Sequence, residues 1–261
     1  MTILITGATD GLGRALAERF AADGHSLILH GRDAGKVART ADSLPGNDVR
    51  TVVADLAELE QVRRLAAEVR DSTGRPDVLV SNAGIGSGEP DGRHRRTSAD
   101  GHELRFAVNY LAGFLLTLEL LPLLHRVVNV ASLGQHPIDF ADLMIERGYS
   151  GIRAYGQSKL AQIMSGFELA ARVPRVAVNS LHPGTYMPTK IVLQEIGHTV
   201  DTLESGVDAV HRLAVGEPGA VTGRFFDRTR ETTANAQAYD ENARRELWRR
   251  SLELVGHPGI D

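Results

Sequence analysis

The sequence predicts an α/β fold, a doubly wound sheet of seven parallel strands with helices on both faces. Three observations lead there. Short, continuously apolar runs recur along the chain, as in parallel sheets covered on both sides. They alternate strictly with helical patterns, which implies right-handed crossovers. A glycine-rich turn separates the first strand from the first helix.

Residues 2–6 are a short β-branched run, followed by Gly7, Gly11 and Gly13 and then by helical spacing through Leu16 and Phe20. Gly24 ends that helix. Strands are expected at 26–30, 50–54, 77–81, 127–131 and 177–181, with a short seventh at 224–226. Helices are expected at 33–43, 59–72, 100–124, 154–172 and 200–214. The stretch 59–72 carries Val62, Leu65, Ala66 and Val69 on one face. A last amphipathic helix, 242–254, presents Leu247, Trp248 and Leu252 after a polar segment at 231–241. Residues 85–97 and 184–199 read as longer irregular segments. With no internal linker, repeat or low-complexity tract, residues 1–261 are expected to form a single domain.

Composition narrows the function. The chain has 261 residues, 42% apolar and 24% charged, with net charge −4 and a pI near 6.2. It has no overall basic field to hold nucleic acid or an anionic membrane. The absence of cysteine excludes disulfides, thiolate catalysis and cysteine-ligated metals. The ten histidines show no metal spacing, so no metal is expected. The chain opens on an apolar strand without a charged leader. No window reaches the roughly 18 uninterrupted apolar residues of a membrane span. A cytoplasmic protein is the expectation.

Ligands of doubly wound sheets bind beyond the carboxyl ends of the strands, so residues just after strands carry the functional information. Gly7, Gly11 and Gly13 let the backbone approach a pyrophosphate while the helix start offers oriented N–H groups. The second strand runs out as His30-Gly31-Arg32-Asp33. Gly31 stands where an NAD-selecting carboxylate is expected, and Arg32 can pair with a ribose 2′-phosphate. NADP (NADPH) is therefore favoured over NAD, although Asp33 could reach a ribose or neutralise Arg32. Farther on, Tyr155 and Lys159 lie four residues apart in a helical stretch, hence on one face. A neighbouring cation favours the phenolate and would lower the tyrosine pKa for acid–base work. A Tyr-x-x-x-Lys pair alone reads more readily as a solvated helical face, so its weight depends on what surrounds it.

The surroundings resemble the classical short-chain dehydrogenase/reductase family, built on the Rossmann fold. Thr6-Gly7-x-x-x-Gly11-x-Gly13 follows the first strand, Asp55-Leu56 the third and Asn82-Ala83-Gly84 the fourth. Asn109 lies in the long helix and Ser132 follows the fifth strand. Tyr155-x-x-x-Lys159 and Pro183-Gly184 complete the set. Finer matches, including Phe106-x-Val108-Asn109-Tyr110, Tyr155-Gly156-Gln157-Ser158-Lys159-Leu160-Ala161 and Leu247-Trp248-x-x-Ser251, resemble one branch. That branch holds retinol dehydrogenases, WW-domain oxidoreductases and protochlorophyllide reductases, most of them NADP-dependent.

The resemblance implies roles. Tyr155 would be the general acid in reduction or base in oxidation. Lys159 would lower its pKa and hold the nicotinamide ribose. Ser132 would hold the substrate oxygen, and Asn109 a water of a proton relay. Gly7, Thr9, Asp10, Gly11, Leu12 and Gly13 would carry the pyrophosphate, with Arg32, Asp55, Leu56, Asn82, Ala83 and Gly84 around the adenosine. Pro183, Gly184 and Thr189 would lie at the nicotinamide. Two departures stand out. Asp10 occupies a position that is basic in many NADP-preferring members. Pro188 fills the slot usually held by a carboxamide-binding threonine, so Thr189 reaches that role only if the loop bulges.

The expected activity is NAD(P)(H)-dependent interconversion of a carbonyl and an alcohol on a small substrate. The alternative is a non-catalytic NADP-binding sensor or scaffold on the same fold. Substrate would enter between loops 133–152 and 185–199, which offer Leu133, Ile138, Phe140, Tyr186, Met187, Ile191, Val192 and Leu193. An apolar substrate follows if these side chains line the pocket rather than pack the loops down. The helices bearing Asn109 and Tyr155 are apolar on more than one face, a surplus that suggests a homodimer or homotetramer.

Overall fold

The computed structural model describes residues 1–260 except 45–47, 72–73, 89, 196 and 217–220, and leaves out the side chains of Lys190, Ile191 and Gln194. The expected end of the third helix at Ser72 and the Ile191 side chain therefore lie outside the described residues. The sheet is built from β1 (Thr2–Ile5), β2 (Ser26–Gly31), β3 (Val49–Val53), β4 (Val78–Ser81), β5 (Arg126–Val130), β6 (Ala177–His182), β7 (Arg224–Asp227) and β8 (Arg230–Glu231). Their order across the sheet is β3-β2-β1-β4-β5-β6-β7-β8. Strand order reverses between β1 and β4, which places the crevice of a doubly wound sheet above those two strands.

Seven of the strands are parallel, as expected, and the eighth is a correction. β8 turns back on β7 in antiparallel register, pairing Asp227 with Arg230 and Phe226 with Glu231. Two charged residues give no apolar run to read. Cross-strand pairing alone makes this strand.

Helices α1 (Gly11–Ala22), α2 (Ala34–Asp42) and α7 (Leu203–Val215) cover one side. Leu12, Leu16, Phe20, Val207 and Val210 pack there on Ile3, Ile5 and Val80. The other side carries α3 (Leu59–Asp71), α4 (Ala112–Leu120) and α5 (Gly151–Arg172). α5 starts three residues earlier than expected because the Ser150 side chain caps it, accepting from Arg153 N. A short helix, α6 (Lys190–Glu195), interrupts the expected irregular segment after β6.

The long helix expected over 100–124 has another form. A π-helical stretch, Phe106–Leu111, precedes α4, and Ala112 N–H reaches back to Ala107 O. Glu103 starts it, its carboxylate accepting from Phe106 N at 2.7 Å. An added residue in one turn leaves an all-round apolar pattern intact, so periodicity could not detect it. π-turns of this kind are frequent at functional sites, and Asn109 sits in this one.

The apolar surplus on α4 and α5 has a partner in the same chain. α8 (Glu241–Val255) and the 3-10 turn Ala236–Tyr239 lie across α5. Trp248 meets Phe114 edge-on at 5.0 Å between ring centroids, and the Arg172 guanidinium lies 5.1 Å from the indole. Glu168 pairs with Arg172 at 2.7 Å and faces Arg244 at 3.5 Å, tying the two helices at their polar edge. The observation behind the oligomer expectation is thus met intramolecularly: Phe114, Leu118 and Phe167 are buried without a second subunit.

Trp248→Ala should cost about 3–5 kcal/mol, as large-to-small changes of a buried aromatic do. Differential scanning calorimetry should show a thermal midpoint lower by roughly 10 °C. A shift under about 2 °C would mean that α8 does not cover this face in solution.

Candidate active site

The first wall of the site is the turn after β1. Gly7 and Gly11 adopt φ of +68° and +48°, the left-handed region that glycine enters without strain. A β-carbon at Gly13 would lie 2.1 Å from Gly7 O and 2.6 Å from Asn82 Nδ2, so only glycine lets α1 approach this closely. Asn82, after β4, donates through Nδ2 to Thr6 O at 2.9 Å and Gly7 O at 3.2 Å. Thr6 Oγ1 accepts in return from the backbone N–H of Asn82 and Ala83. The two strand ends flanking the crevice are thereby locked together. Asp10 caps α1, its carboxylate accepting from Gly11 N at 2.7 Å. Leu12 is buried beneath the turn.

His30 is a residue that the sequence reading passed over. Its Nδ1 accepts from Gly7 N at 3.2 Å, and its Nε2 donates to Ala54 O at 3.1 Å. Burial pushes its pKa down and so favours the neutral ring that this pairing requires. A histidine inside a buried apolar strand was the available signal.

At the end of β2, a β-carbon on Gly31 would meet Val37 Cγ2 at 2.7 Å and Thr9 Cγ2 at 2.8 Å. No carboxylate-bearing side chain fits there. Arg32 is exposed. Asp33 instead caps α2, its Oδ1 accepting from Lys36 N at 2.8 Å. Of the two tasks that the sequence left open for Asp33, this geometry favours neither. Asp55 is held locally, accepting from Ala57 N at 2.9 Å, and Leu56 is buried.

The second wall brings the four expected catalytic residues together from three elements. Asn109 is fixed on both sides by Ile85, accepting its N–H at 2.8 Å and donating to its O at 3.1 Å. It also donates to Ser158 Oγ at 3.0 Å, and Ser158 donates to Tyr155 O. A β-carbon on Gly84 would meet Asn109 Oδ1 at 3.2 Å and Lys159 Nζ at 3.6 Å. Ser132, just past β5, accepts from Gly134 N at 3.0 Å, and its hydroxyl lies near enough to the Tyr155 phenol to influence its titration.

Lys159 is nearly fully buried, its Nζ 5.7 Å from the Tyr155 ring centroid. It donates to Val130 O at 2.9 Å and Gln162 Oε1 at 3.0 Å. Burial pushes its pKa down to about 8. The Tyr155 pKa differs from expectation. Burial raises it, the nearby Ser132 hydroxyl opposes the rise, and the Glu195 charge adds to it. The ammonium is turned toward Val130 and Gln162, and desolvation of the phenol dominates.

The loops divide between packing and exposure. Ile138 and Met187 are buried, and Phe140 packs against the core below the Arg250 guanidinium. Leu133, Tyr186 and Leu193 remain exposed, with Tyr186 at a φ of +47°. Pro183 and Gly184 are buried at the end of β6. His182 is a packed histidine, bonded to Thr185 Oγ1 at 3.1 Å. Thr189 lies over the glycine turn, where a β-carbon on Gly11 would meet its Cγ2 at 3.2 Å. Glu195 accepts from Ser87 N and Oγ, joining α6 to the segment after β4. Neither Glu195 nor Ser87 was singled out by sequence. Among the described residues no cluster of three metal-ligating side chains occurs, and no helix is long and apolar enough to cross a membrane.

A glycine turn at the switch point, with Ser, Tyr, Lys and Asn converging beside it, defines an oxidoreductase of the nicotinamide-dinucleotide class. The comparisons specify the family: residues 1–196 match the model for short chain dehydrogenase, and the chain belongs to the short-chain dehydrogenase/reductase family. It is 34% identical to human retinol dehydrogenase 13 over 98% of this chain and 84% of that protein. It is 36% identical to a Streptomyces sp. (strain C5) protein provisionally described as the daunorubicin C-13 ketoreductase DnrU, over 98% of this chain and 92% of the other. An uncharacterized protein from Mycobacterium paratuberculosis superposes with a TM-score of 0.80 at 29% identity, covering 98% and 93% of the two chains. Retinol dehydrogenases 11, 12 and 14 are similar too, so the retinol dehydrogenase-like branch is the right one.

The residues fit a dinucleotide, because Gly7, Gly11 and Gly13 leave the turn bare of side chains and Gly13 lets α1 start hard against it, so backbone N–H groups can approach a pyrophosphate. Gly13→Ala should abolish dinucleotide binding in a fluorescence titration, since the added methyl collides with backbone. Binding within threefold of the parent would show that the turn does not carry the cofactor.

Proposed function

We propose that this chain is an NADP(H)-dependent carbonyl reductase or alcohol dehydrogenase acting on a small, neutral, largely apolar substrate. The observation that carries the reading is the convergence of Ser132, Tyr155, Lys159 and Asn109 beside the glycine turn, from separate elements of the sheet's carboxyl edge. NADPH, when bound, supplies the hydride. Gly7, Thr9, Gly11, Leu12 and Gly13 would hold its pyrophosphate, Asn82, Ala83 and Gly84 the adenosine-ribose side, and Asp55 with Leu56 the adenine. Pro183, Gly184 and Thr189 would border the nicotinamide.

The chain's own residues then handle the proton. Ser132 Oγ already accepts from Gly134 N, so its O–H is free to turn to a substrate oxygen. Tyr155, with its pKa raised by burial, remains a neutral phenol through the working range. It thus keeps the proton that reduction consumes, as a weaker acid than a phenol in water. Lys159 contributes a charged ammonium beside it, present below a pH of about 8. Asn109, set in the π-stretch and fixed by Ile85, would place a water on the lysine side. The exposed Leu133, Tyr186 and Leu193 support an apolar substrate. The Glu195 charge acting on Tyr155 disfavours an anionic one.

Arg32 supports the NADP choice: it is exposed at the end of β2, and Asp33 is engaged elsewhere. Asp10, capping α1, is the counterweight. α8 occupies the α4–α5 face, so a dimer or tetramer, if formed, would use another surface.

Tyr155→Phe should lower kcat for carbonyl reduction by about 10²–10⁴-fold, the usual worth of a positioned acid, with NADPH affinity little changed. Steady-state kinetics over a panel of aldehydes and ketones checks this. Turnover at the parent rate, or no turnover by the parent on any carbonyl, would overturn the catalytic reading. Arg32→Ala should weaken NADPH at least tenfold while leaving NADH within about twofold, corresponding to a lost charge-assisted phosphate contact. An equal loss for both would place the phosphate contact elsewhere.

A further inference from the structure

Among the described residues, no carboxylate is hydrogen-bonded or ion-paired to Lys159. Around Nζ lie Tyr155 on the same helix, Val130 O at the end of β5, Gly84 after β4 and Asn109 in the π-stretch. No carboxylate is among them, and burial pushes its pKa down to about 8. The neutral acceptors must therefore do what a counter-ion would do elsewhere. One is a backbone carbonyl, which no mutation removes. The other is the side chain of Gln162, three residues along α5 on the same face, with Oε1 at 3.0 Å.

Gln162 is itself nearly fully buried. Because an ammonium only donates, the amide must present its oxygen to Lys159, and its nitrogen then needs an acceptor. Behind it lies a chamber of about 20 Å³ between α4 and α5, bordered by Ser81, Thr117, Asn129 and Ser165. That is room for about one water among polar partners. The chamber can thus fix the amide orientation without a second charge.

We propose that Gln162 is a positioning residue of the active site, holding Lys159 charged and aimed through its amide oxygen, with the chamber behind it anchoring the amide nitrogen. The inference rests on the proposed role of Lys159 and deepens it. The sequence motif stops at Ala161, one residue short of Gln162, so Gln162 falls outside any pattern that the sequence offered.

The test separates positioning from packing by the pH profile. For the parent, kcat/KM of carbonyl reduction with NADPH should fall as pH rises through the lysine's titration. Gln162→Leu removes the acceptor, disfavours the charged form, and should move that basic limb down by about one pH unit, lowering kcat more than KM. Gln162→Glu puts an anion at the same atom and should move the limb up by a similar amount. A ¹³Cε-lysine NMR titration, with the Lys159 signal assigned by Lys159→Arg, should show the same displacements without turnover. If both variants lose activity uniformly and neither the limb nor the NMR midpoint moves, Gln162 is only packing and the proposal fails. Should Gln162→Leu not fold, the near-isosteric Gln162→Glu decides by itself: an unmoved midpoint overturns the idea. Loss of the proposed chemistry would instead appear as undiminished turnover in Tyr155→Phe, whatever the Gln162 variants do.

Discussion

A buried ammonium is the constraint on which the site depends. Taking Lys159 out of water is unfavourable unless its donors are met, and they are met by Val130 O and Gln162 Oε1. These acceptors belong to β5 and α5, so the helix must sit at a fixed height and rotation on the sheet. Gly166 permits it: a β-carbon there would press on Asn129 and Ser180 at 3.1 and 3.2 Å. The same seating sets Tyr155 beside Ser132 and lets Asn109 reach Ser158. Tyrosine acid strength, lysine charge and helix packing are therefore one coupled problem rather than three.

The cofactor side follows a similar logic of close approach. Gly13 brings α1 onto Gly7 and Asn82, and the Asn82 amide stitches the ends of β1 and β4 across the crevice. His30 extends the brace to β3 through Ala54. On the far side of the sheet, α8 closes the apolar faces of α4 and α5 with Trp248. The C-terminal segment thereby completes the core that steadies the catalytic helix.

Much of this was legible in the sequence. Continuous apolar runs marked inner strands such as β1 and β4, where burial on both faces leaves no polar alternation, while β3 at the sheet edge buries only Val52. Gly7, Asn82 and Ser132 were placed just past strand ends, where such a sheet concentrates ligands, and Tyr155 with Lys159 on the helix between β5 and β6. Other features were not legible because they depend on groups distant in sequence. The π-stretch around Asn109 preserves the apolar pattern, so nothing local announces it. β8 exists only as the partner of β7. The apolar surplus of α4 and α5 pointed outward to a second subunit until α8, more than 70 residues beyond Tyr155's helix start, was seen to cover it. Asp33 and Asp10 offered ribose or phosphate chemistry on paper, yet both are helix caps.

The sequence by itself determined the family, the sheet and the set of candidate reactive side chains, because these are properties of local pattern and residue chemistry. Tertiary structure decided the electrostatics. A phenol and an ammonium at i and i+4 suggested a lowered tyrosine pKa. In the fold, burial raises the phenol's pKa and lowers the lysine's. Desolvation depends on every element packed around a group, and a spacing of four residues carries no record of that. For the same reason only the folded chain shows Gln162 at the lysine, with a polar chamber behind it.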